Sequence, residues 1–467
     1  DMVGMLINTL PLRATVTEQE KFHELAKSVE EGISLLEENA YTSLAELQSA
    51  YFQGNAFFDC VIAYENYPFE KELMKIANNT GKRPFTVLET SFFEHTNYGL
   101  YISIFPEEES ISFKICYNTS RYDERDLEQF ARHLDLVLQQ VSQKEDIRIK
   151  DITILTEEDR KAFASVNKTQ TDYDHDLLAF RRFERTARCY PDKVAIICKG
   201  VTLTYQELNQ RANIIAHKLL AVGLKKEDCV GVMMKRSVNL VAALLGIMKA
   251  GGVYVPLHPE FPVERMEKMA QDCNMEVVIG DAFVSGFSYD KRKVIDLEQL
   301  DYTTACDNPE LLVSKDSPVY ILYTSGTTGN PKGVVIPHIA LNNFIIAMEQ
   351  KLHLSEYHKI LSSTNYTFDI FGLELYVSLS NGLEIVLADD RERLEPDALA
   401  DLIKEHEIDL IQMTPSGIKM LLTEEYGKSA MKGLKCILVG GEKVSDILLA
   451  ELQMSTNAEI YNVYGPT

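Results

Sequence analysis

The chain is short of positive charge: Lys and Arg number 47 against 70 Asp and Glu, a formal net charge of −23. Such a surface repels polyanions, so neither nucleic acid nor an anionic membrane surface is expected as a partner. Paired cysteines are missing too. The eight at positions 60, 116, 189, 198, 229, 273, 306 and 436 form no Cys-x-x-Cys, and most sit in apolar runs such as Ala195-Ile196-Ile197-Cys198. That scatter argues against a disulfide framework and predicts reduced, buried thiols in a cytoplasmic protein. Neither a basic, apolar leader nor an uninterrupted run of ~20 apolar residues occurs, so no secretory signal or membrane span is expected. Repeats and low-complexity tracts are absent as well. What the chain has is an apolar content of 45%, enough for folded cores, over 467 residues. At ~150 residues per domain that length predicts about three units. The opening Asp1-Met2-Val3-Gly4 already lies in an apolar stretch, which predicts a beginning inside a domain.

Two common phosphate loops are lacking: the Gly-x4-Gly-Lys-Ser/Thr order and the Gly-x-Gly-x-x-Gly spacing. In their place, residues 322 to 333 read Leu-Tyr-Thr-Ser-Gly-Thr-Thr-Gly-Asn-Pro-Lys-Gly, directly after the apolar run Pro318-Val319-Tyr320-Ile321. Gly326, Gly329 and Gly333 let successive backbone N–H groups converge on an anion. Thr324, Ser325, Thr327 and Thr328 add hydroxyl donors, and Lys332 adds charge. A strand feeding such a loop is a place to hold phosphate. Because the chain as a whole is acidic, the positive charge that a nucleotide needs must be local or come from Mg²⁺.

From Lys193 onward the pattern alternates between strand and helix. Val194 to Ile197 reads as a strand, and Thr204-Tyr205-Gln206-Glu207 as a capping box followed by Leu208, Ala212, Ile215 and Leu219 at helical spacing. Val230 to Met234, Val253 to Pro256, 277 to 280, 318 to 323, 384 to 388, 435 to 439 and 459 to 463 read as further strands, with a helix from Leu240 to Lys249 stopping at Gly251-Gly252. Such alternation predicts parallel sheets covered by helices, with ligands beyond the carboxyl ends of the strands. Residues 1 to 150 differ. Tyr101 to Ile104 and Ile111 to Tyr117 predict a hairpin, and Leu127, Phe130, Leu134, Val137, Leu138 and Val141 share one helical face, which predicts core packing. The polar stretch 151 to 178 reads as a linker.

Several segments resemble, in order and spacing, the core motifs of the adenylation domain of nonribosomal peptide synthetases. Leu203 to Leu208 is similar to the first motif, Met248 to Pro256 to the second, and the phosphate loop to the third. Phe368-Asp369 opens the fourth, and Asn462-Val463-Tyr464-Gly465-Pro466-Thr467 begins the fifth. His258 departs from the usual Asp and is read as a surface change; no His or Cys stands at ligand spacing to it. Val3 to Arg13 resembles a late condensation-domain motif, and Tyr64-Glu65-Asn66-Tyr67-Pro68-Phe69-Glu70 the next one, normally His-Gln-Asp-Tyr-Pro-Phe-Glu. The resemblance implies an α/β chain in three parts. Residues 1–150 would be the C-terminal lobe of a chloramphenicol-acetyltransferase-like condensation domain, 151–178 a linker, and 179–467 the N-terminal core of an adenylate-forming (ANL) enzyme with mostly parallel sheets.

By the same resemblance the substrates are ATP, with Mg²⁺, and a small amino acid, and the partners are carrier-protein domains whose phosphopantetheine lies outside this chain. Thr324, Ser325, Gly326, Thr327, Thr328, Gly329 and Lys332 would hold the β- and γ-phosphates. Tyr464 would stack on adenine, Asn462 would bond the base edge, and Thr467 would reach the α-phosphate. Asp369 would bind the amino acid's ammonium, a charge-assisted bond that an apolar pocket makes strong. Carried over residue by residue, the pocket is Asp369, Ile370, Leu373, Gln412, Leu438, Gly440 and Val463, which resembles the glycine code, with alanine second. Ile370 and Leu373, three apart, could equally pack a helix. No catalytic residue and no metal ligand is expected within the chain. His-His-x-x-x-Asp-Gly and a carrier Ser motif are absent, and the family's catalytic Lys would follow Thr467, so this stretch alone is expected to be inactive. Two other readings remain, an acyl- or aryl-CoA ligase and a catalytically dead nucleotide-binding scaffold; the first half and Asp369 favour the synthetase.

Overall fold

A computed structural model describes residues 9–52, 58–64, 98–106, 110–281, 283, 285–289, 292–325 and 331–467. Two compact units divide the chain, Asp1–Thr171 and Asp172–Thr467.

In the first unit, β1 (Cys60–Tyr64), β2 (Leu100–Pro106) and β3 (Ile111–Tyr117) form one sheet. β2 and β3 make the expected antiparallel hairpin, in register from Leu100 opposite Tyr117 to Pro106 opposite Ile111. β1, which the sequence did not announce, runs parallel to β2. The helix Glu124–Gln143 starts at Asp123, whose carboxylate accepts from the Arg125 N–H at 2.9 Å. Its apolar face is packed less tightly than expected: Leu127 is buried, whereas Phe130 is exposed. Of the condensation-like motifs, 3–8 and 65–70 fall outside the described residues.

The stretch read as a linker contains a helix, Glu157–Val166. Its many polar residues are cap and solvent face. Thr156 and Asp159 form a capping box, and the Asp159 carboxylate also accepts from Gln129 Nε2 and meets His133 Nε2, both at 2.9 Å. The Thr156 and His133 hydrogen bonds hold this carboxyl at about 2. The helix therefore belongs to the first unit. By Asp174, whose carbonyl accepts from Asn342 Nδ2 at 2.9 Å, the chain has entered the second.

The second unit's strands follow in order: β4 (Val194–Cys198), β5 (Val201–Thr204), β6 (Cys229–Met233), β7 (Val253–Pro256), β8 (Val277–Gly280), β9 (Lys293–Asp296), β10 (Pro318–Ser325) and β11 (Pro331–Pro337). They continue with β12 (Lys359–Ser362), β13 (Glu384–Leu387), β14 (Leu410–Met413), β15 (Cys436–Gly440) and β16 (Glu459–Val463). Among the described residues they build two sheets, ordered β11-β10-β7-β6-β8-β9 and β16-β15-β14-β12-β13-β4-β5. Only the edge pairs β10–β11 and β4–β5 are antiparallel. The helices Tyr205–Ala221 and Val238–Lys249 start at caps: Thr204 with Glu207, and Ser237 accepting from the Leu240 N–H. Val238–Lys249 is buried except at Asn239, so its nearly all-round apolar surface is spent on the core. Lys249 is the exception to that apolarity; its ammonium donates to Glu184 at 2.7 Å and to Asn209, Asn213 and Asn308.

Two expectations need correction. His258 is not on the surface: it is 7% exposed and packs against the rings of Phe261 and Tyr366, because the chain leaving β7 turns inward. Nor are most thiols buried. Cys198 and Cys436 are, Cys60 and Cys189 are exposed, and the other four are intermediate, all of them free.

Candidate functional site

Strands β12, β14, β15 and β16 are mutually parallel and lie side by side, so their carboxyl ends form one rim. A cavity of about 930 Å³ opens over that rim. Ser363, Thr364 and Asn365 reach it from the end of β12, Met413 and Thr414 from β14, Gly441 and Glu442 from β15, and Val463 to Thr467 from β16. The helix His338–Leu352 closes one side with Ala340, Leu341, Phe344 and Met348.

Register decides which pocket side chains share a face. Gln412 lies beside Leu438 across β14–β15, and Gly440 beside Val463 across β15–β16. Residues two apart on a strand point the same way, so these four form one surface of adjacent strands. A side chain at 440 has no room: a Cβ there would sit 2.5 Å from the Val463 carbonyl oxygen. Gly441 then turns the chain away with φ +85°, a left-handed conformation suited to glycine.

Asp369, Ile370 and Leu373 come from the segment after β12 and line the same cavity. Asp369 forms no ion pair among the described residues; its Oδ1 accepts only the neighbouring Ile370 N–H, at 2.8 Å. Leu373 begins a π-helical turn, Leu373–Val377, and is buried, so it both packs a helix and walls the cavity. Gln412 is 0% exposed: its Oε1 accepts from Thr364 Oγ1 at 3.1 Å, and its Nε2 is a buried donor with no protein partner. Leu438 is likewise fully buried.

A polar network that the sequence reading missed lies beside this surface. Glu374, 0% exposed, accepts from Ser362 Oγ at 2.6 Å and from the Thr364 N–H at 3.2 Å. Arg236 donates to the carbonyls of Ala388 at 2.6 Å and Ser362 at 2.7 Å, and to that of Thr364. Burial pushes the Glu374 carboxyl up, and Arg236 opposes the push. The network fixes Thr364, which in turn holds Gln412. The signal was an acidic residue inside the apolar run Phe371 to Val377.

Of the expected nucleotide residues, Tyr464 and Thr467 lie on the cavity wall, Tyr464 with 94% of its surface exposed. Asn462 does not. Strand alternation turns it to the other face of β16, where it lines a separate cavity of about 290 Å³ with Val439, Ser445 and Leu448. Thr324 and Lys332 face each other across β10–β11, exposed, at the base of the phosphate loop. Gly326, Thr327, Thr328 and Gly329 lie outside the described residues, as does the Ser325 side chain. Among the described residues no group of three or more His, Cys, Asp or Glu could hold a metal ion. None of the described helices is long and apolar enough to cross a membrane.

A parallel sheet whose carboxyl rim carries a large cavity and an unpaired carboxylate defines a class that comparison makes definite. Residues 183–467 match the family described as AMP-binding enzyme, and residues 1–163 match the condensation domain. The chain belongs to the AMP-binding enzyme family, which implies ATP as a substrate. With a condensation unit ahead of the AMP-binding one, it is a stretch of nonribosomal peptide synthetase. It is 31% identical to one of the proteins that make up the linear gramicidin synthase of Brevibacillus parabrevis, over 100% of this chain and 9% of that protein. Bacitracin synthase 3 of Bacillus licheniformis is also 31% identical, with 100% and 7% covered. The chain thus spans a tenth or less of these relatives' length. The fold is shared with the synthetase FmoA3 bound to AMPPNP, at TM-score 0.82 and 20% identity, covering 98% of this chain and 50% of that one. It is also shared with AB3403, a four-domain synthetase bound to AMP and glycine, at TM-score 0.78 and 24% identity, covering 97% and 34%.

Proposed function

We propose that the second unit selects a small amino acid, glycine before alanine, and activates it with ATP as the aminoacyl adenylate. In the whole synthetase that residue would pass to a carrier-domain phosphopantetheine thiol for peptide bond formation. One observation carries the reading: Asp369 is an unpaired carboxylate on the wall of a largely apolar cavity that Ile370, Leu373 and Val463 also line. An isolated carboxylate there calls for a cation, and an α-ammonium supplies it. Ile370 and Leu373, bulky and next to Asp369 on the cavity wall, favour a small side chain over a large one. Gln412 Nε2 adds a buried donor that a bound acceptor or water would satisfy.

In the reaction a carboxylate oxygen of the amino acid attacks the α-phosphorus, the bond to the bridging oxygen breaks, and pyrophosphate leaves. Asp369 orients the attacking end, Tyr464 offers an exposed ring for adenine to stack on, and Thr467 lies on the same wall for the α-phosphate. Thr324 and Lys332 face each other across β10–β11 at the two ends of the phosphate loop, whose sequence suits the leaving pyrophosphate. Mg²⁺ would arrive on the ATP phosphates, since no described cluster holds it alone. The strand alternation that turns Asn462 away removes it from the adenine edge in this reading.

Amino-acid-dependent ATP–pyrophosphate exchange by the complete module tests the proposal. Glycine should give the fastest exchange and alanine the next. A preference for leucine or phenylalanine would refute the small pocket, and exchange driven by acids without an amino group would favour an acyl-CoA ligase.

A further inference from the structure

We infer that Arg393, on the wall of the same cavity, positions the carboxylate of the incoming amino acid whose ammonium Asp369 holds. The inference rests on the adenylation reading above. Arg393 lies in the single turn Glu392–Leu394 after β13, and its side chain lines the cavity. The turn itself is firmly held. The Asp389 carboxylate accepts from the N–H groups of Arg391 at 2.7 Å and Glu392 at 2.8 Å and pairs with Lys199 at 2.9 Å, while the Arg393 N–H donates to the Asp389 carbonyl at 3.2 Å.

The guanidinium, by contrast, is unclaimed. Among the described residues it makes no hydrogen bond or ion pair, and its Nε is shielded from solvent without a partner. Its neighbours show what a structural arginine looks like here: Arg391 is bound to Glu395 at 3.0 Å, and Arg236 spends its donors on three carbonyls. Arg393 also stands close enough to Arg236 and His258 for its charge to disfavour theirs. A second guanidinium so placed destabilises the empty site, and an arriving anion relieves it.

Among the described residues lining the cavity, Arg393 is the one Lys or Arg side chain. Two acidic residues share the wall, but Glu442 already accepts from Ser416 Oγ at 2.6 Å, which leaves Asp369 as the unpaired carboxylate. An unpaired cation and an unpaired anion on one apolar wall complement a zwitterion. The planar guanidinium fork can bond both oxygens of a carboxylate.

Exchange kinetics of the complete module test this, with wild type, Arg393→Met, Arg393→Lys and Asp369→Asn. Losing a charge-assisted pair costs about 10- to 100-fold, so Arg393→Met should raise KM for glycine by that factor while KM for ATP stays within about twofold. Glycinamide, which keeps the amine and lacks the carboxylate, is the discriminating probe. Its inhibition constant should be unchanged by Arg393→Met and raised by Asp369→Asn. Arg393→Lys keeps the charge and should recover part of the loss, and it also carries the test should the Met variant fold poorly. An unchanged KM for glycine in an active Arg393→Met module, or a rise confined to ATP, overturns the inference and leaves the adenylation reading standing. Wild-type exchange with no amino acid at all overturns both.

Discussion

Glu374→Ala should be among the most damaging single changes in the second unit. The side chain is fully buried and accepts from Ser362 Oγ at 2.6 Å and from the Thr364 N–H at 3.2 Å, and its charge offsets that of Arg236, itself 3% exposed. Alanine removes the largest negative charge facing that guanidinium, leaving Asp390, and orphans one hydroxyl and one amide. Orphaning two buried polar groups costs about 1–3 kcal/mol each. Against a total stability of roughly 5–15 kcal/mol, that is a substantial fraction of what holds the fold. Glu374→Gln keeps an acceptor and loses only the charge, so it should fall between wild type and alanine. Urea unfolding of the chain followed by near-ultraviolet circular dichroism measures both, with an unchanged m-value showing that the denatured state is the same. A double-mutant cycle with Arg236→Met should give a coupling of about 1–3 kcal/mol. Loss of less than about 1 kcal/mol in the alanine variant, or strict additivity in the cycle, would refute the assignment of Glu374 as Arg236's counter-ion.

Gly440→Ala would drive a Cβ to 2.5 Å from the Val463 carbonyl oxygen and 3.1 Å from its Cβ, so β15 and β16 must part. A stability loss of about 1–3 kcal/mol and a raised KM for the amino acid are expected, read by urea titration and pyrophosphate exchange. Acid should weaken the second unit through His338, whose buried imidazole is pushed down from 6.5 to about 4 and has no partner at Nδ1. Its neutral form is the folded one, so the contribution is intact above pH 6.5 and fades as pH falls toward 4, by up to about 3 kcal/mol. His338→Gln should flatten that part of the stability profile, measured by urea midpoints between pH 4 and 7.

Much of this fold was legible because apolar, β-branched runs announce buried parallel strands; β6, β8, β15 and β16 fall where Val230, Val277, Ile437 and Ile460 predict. Six strands escaped notice, β1, β5, β9, β11, β12 and β14; of these, β12 and β14 lie near the middle of the larger sheet. Each of those two has four residues and carries a polar one, Ser362 or Gln412, which shortens the apolar signal; that same polarity is what they contribute to the site. Asp369, Tyr464 and Thr467, placed by motif order, line the larger cavity. Asn462, placed by the same motif order, lines the smaller cavity, on the face of β16 opposite Val463. Arg236, Glu374 and Arg393 were not legible, because what each does depends on partners or on a cavity assembled from distant parts of the chain. The helix within 151–178 was hidden by its own caps, since Thr156 and Asp159 read as loop residues until their hydrogen bonds are seen.

The central claim is that the cavity holds an ammonium at Asp369 and excludes a large side chain. Calorimetric titration of residues 1–467 with non-hydrolysable sulfamoyl-adenosine analogues tests it most directly, comparing glycyl, leucyl and acetyl forms. The glycyl compound should bind tightest, the acetyl form about 10-fold or more weaker for want of the ammonium, and the leucyl form weakest. Equal binding of the acetyl and glycyl forms, or tighter binding of the leucyl form, would contradict the account.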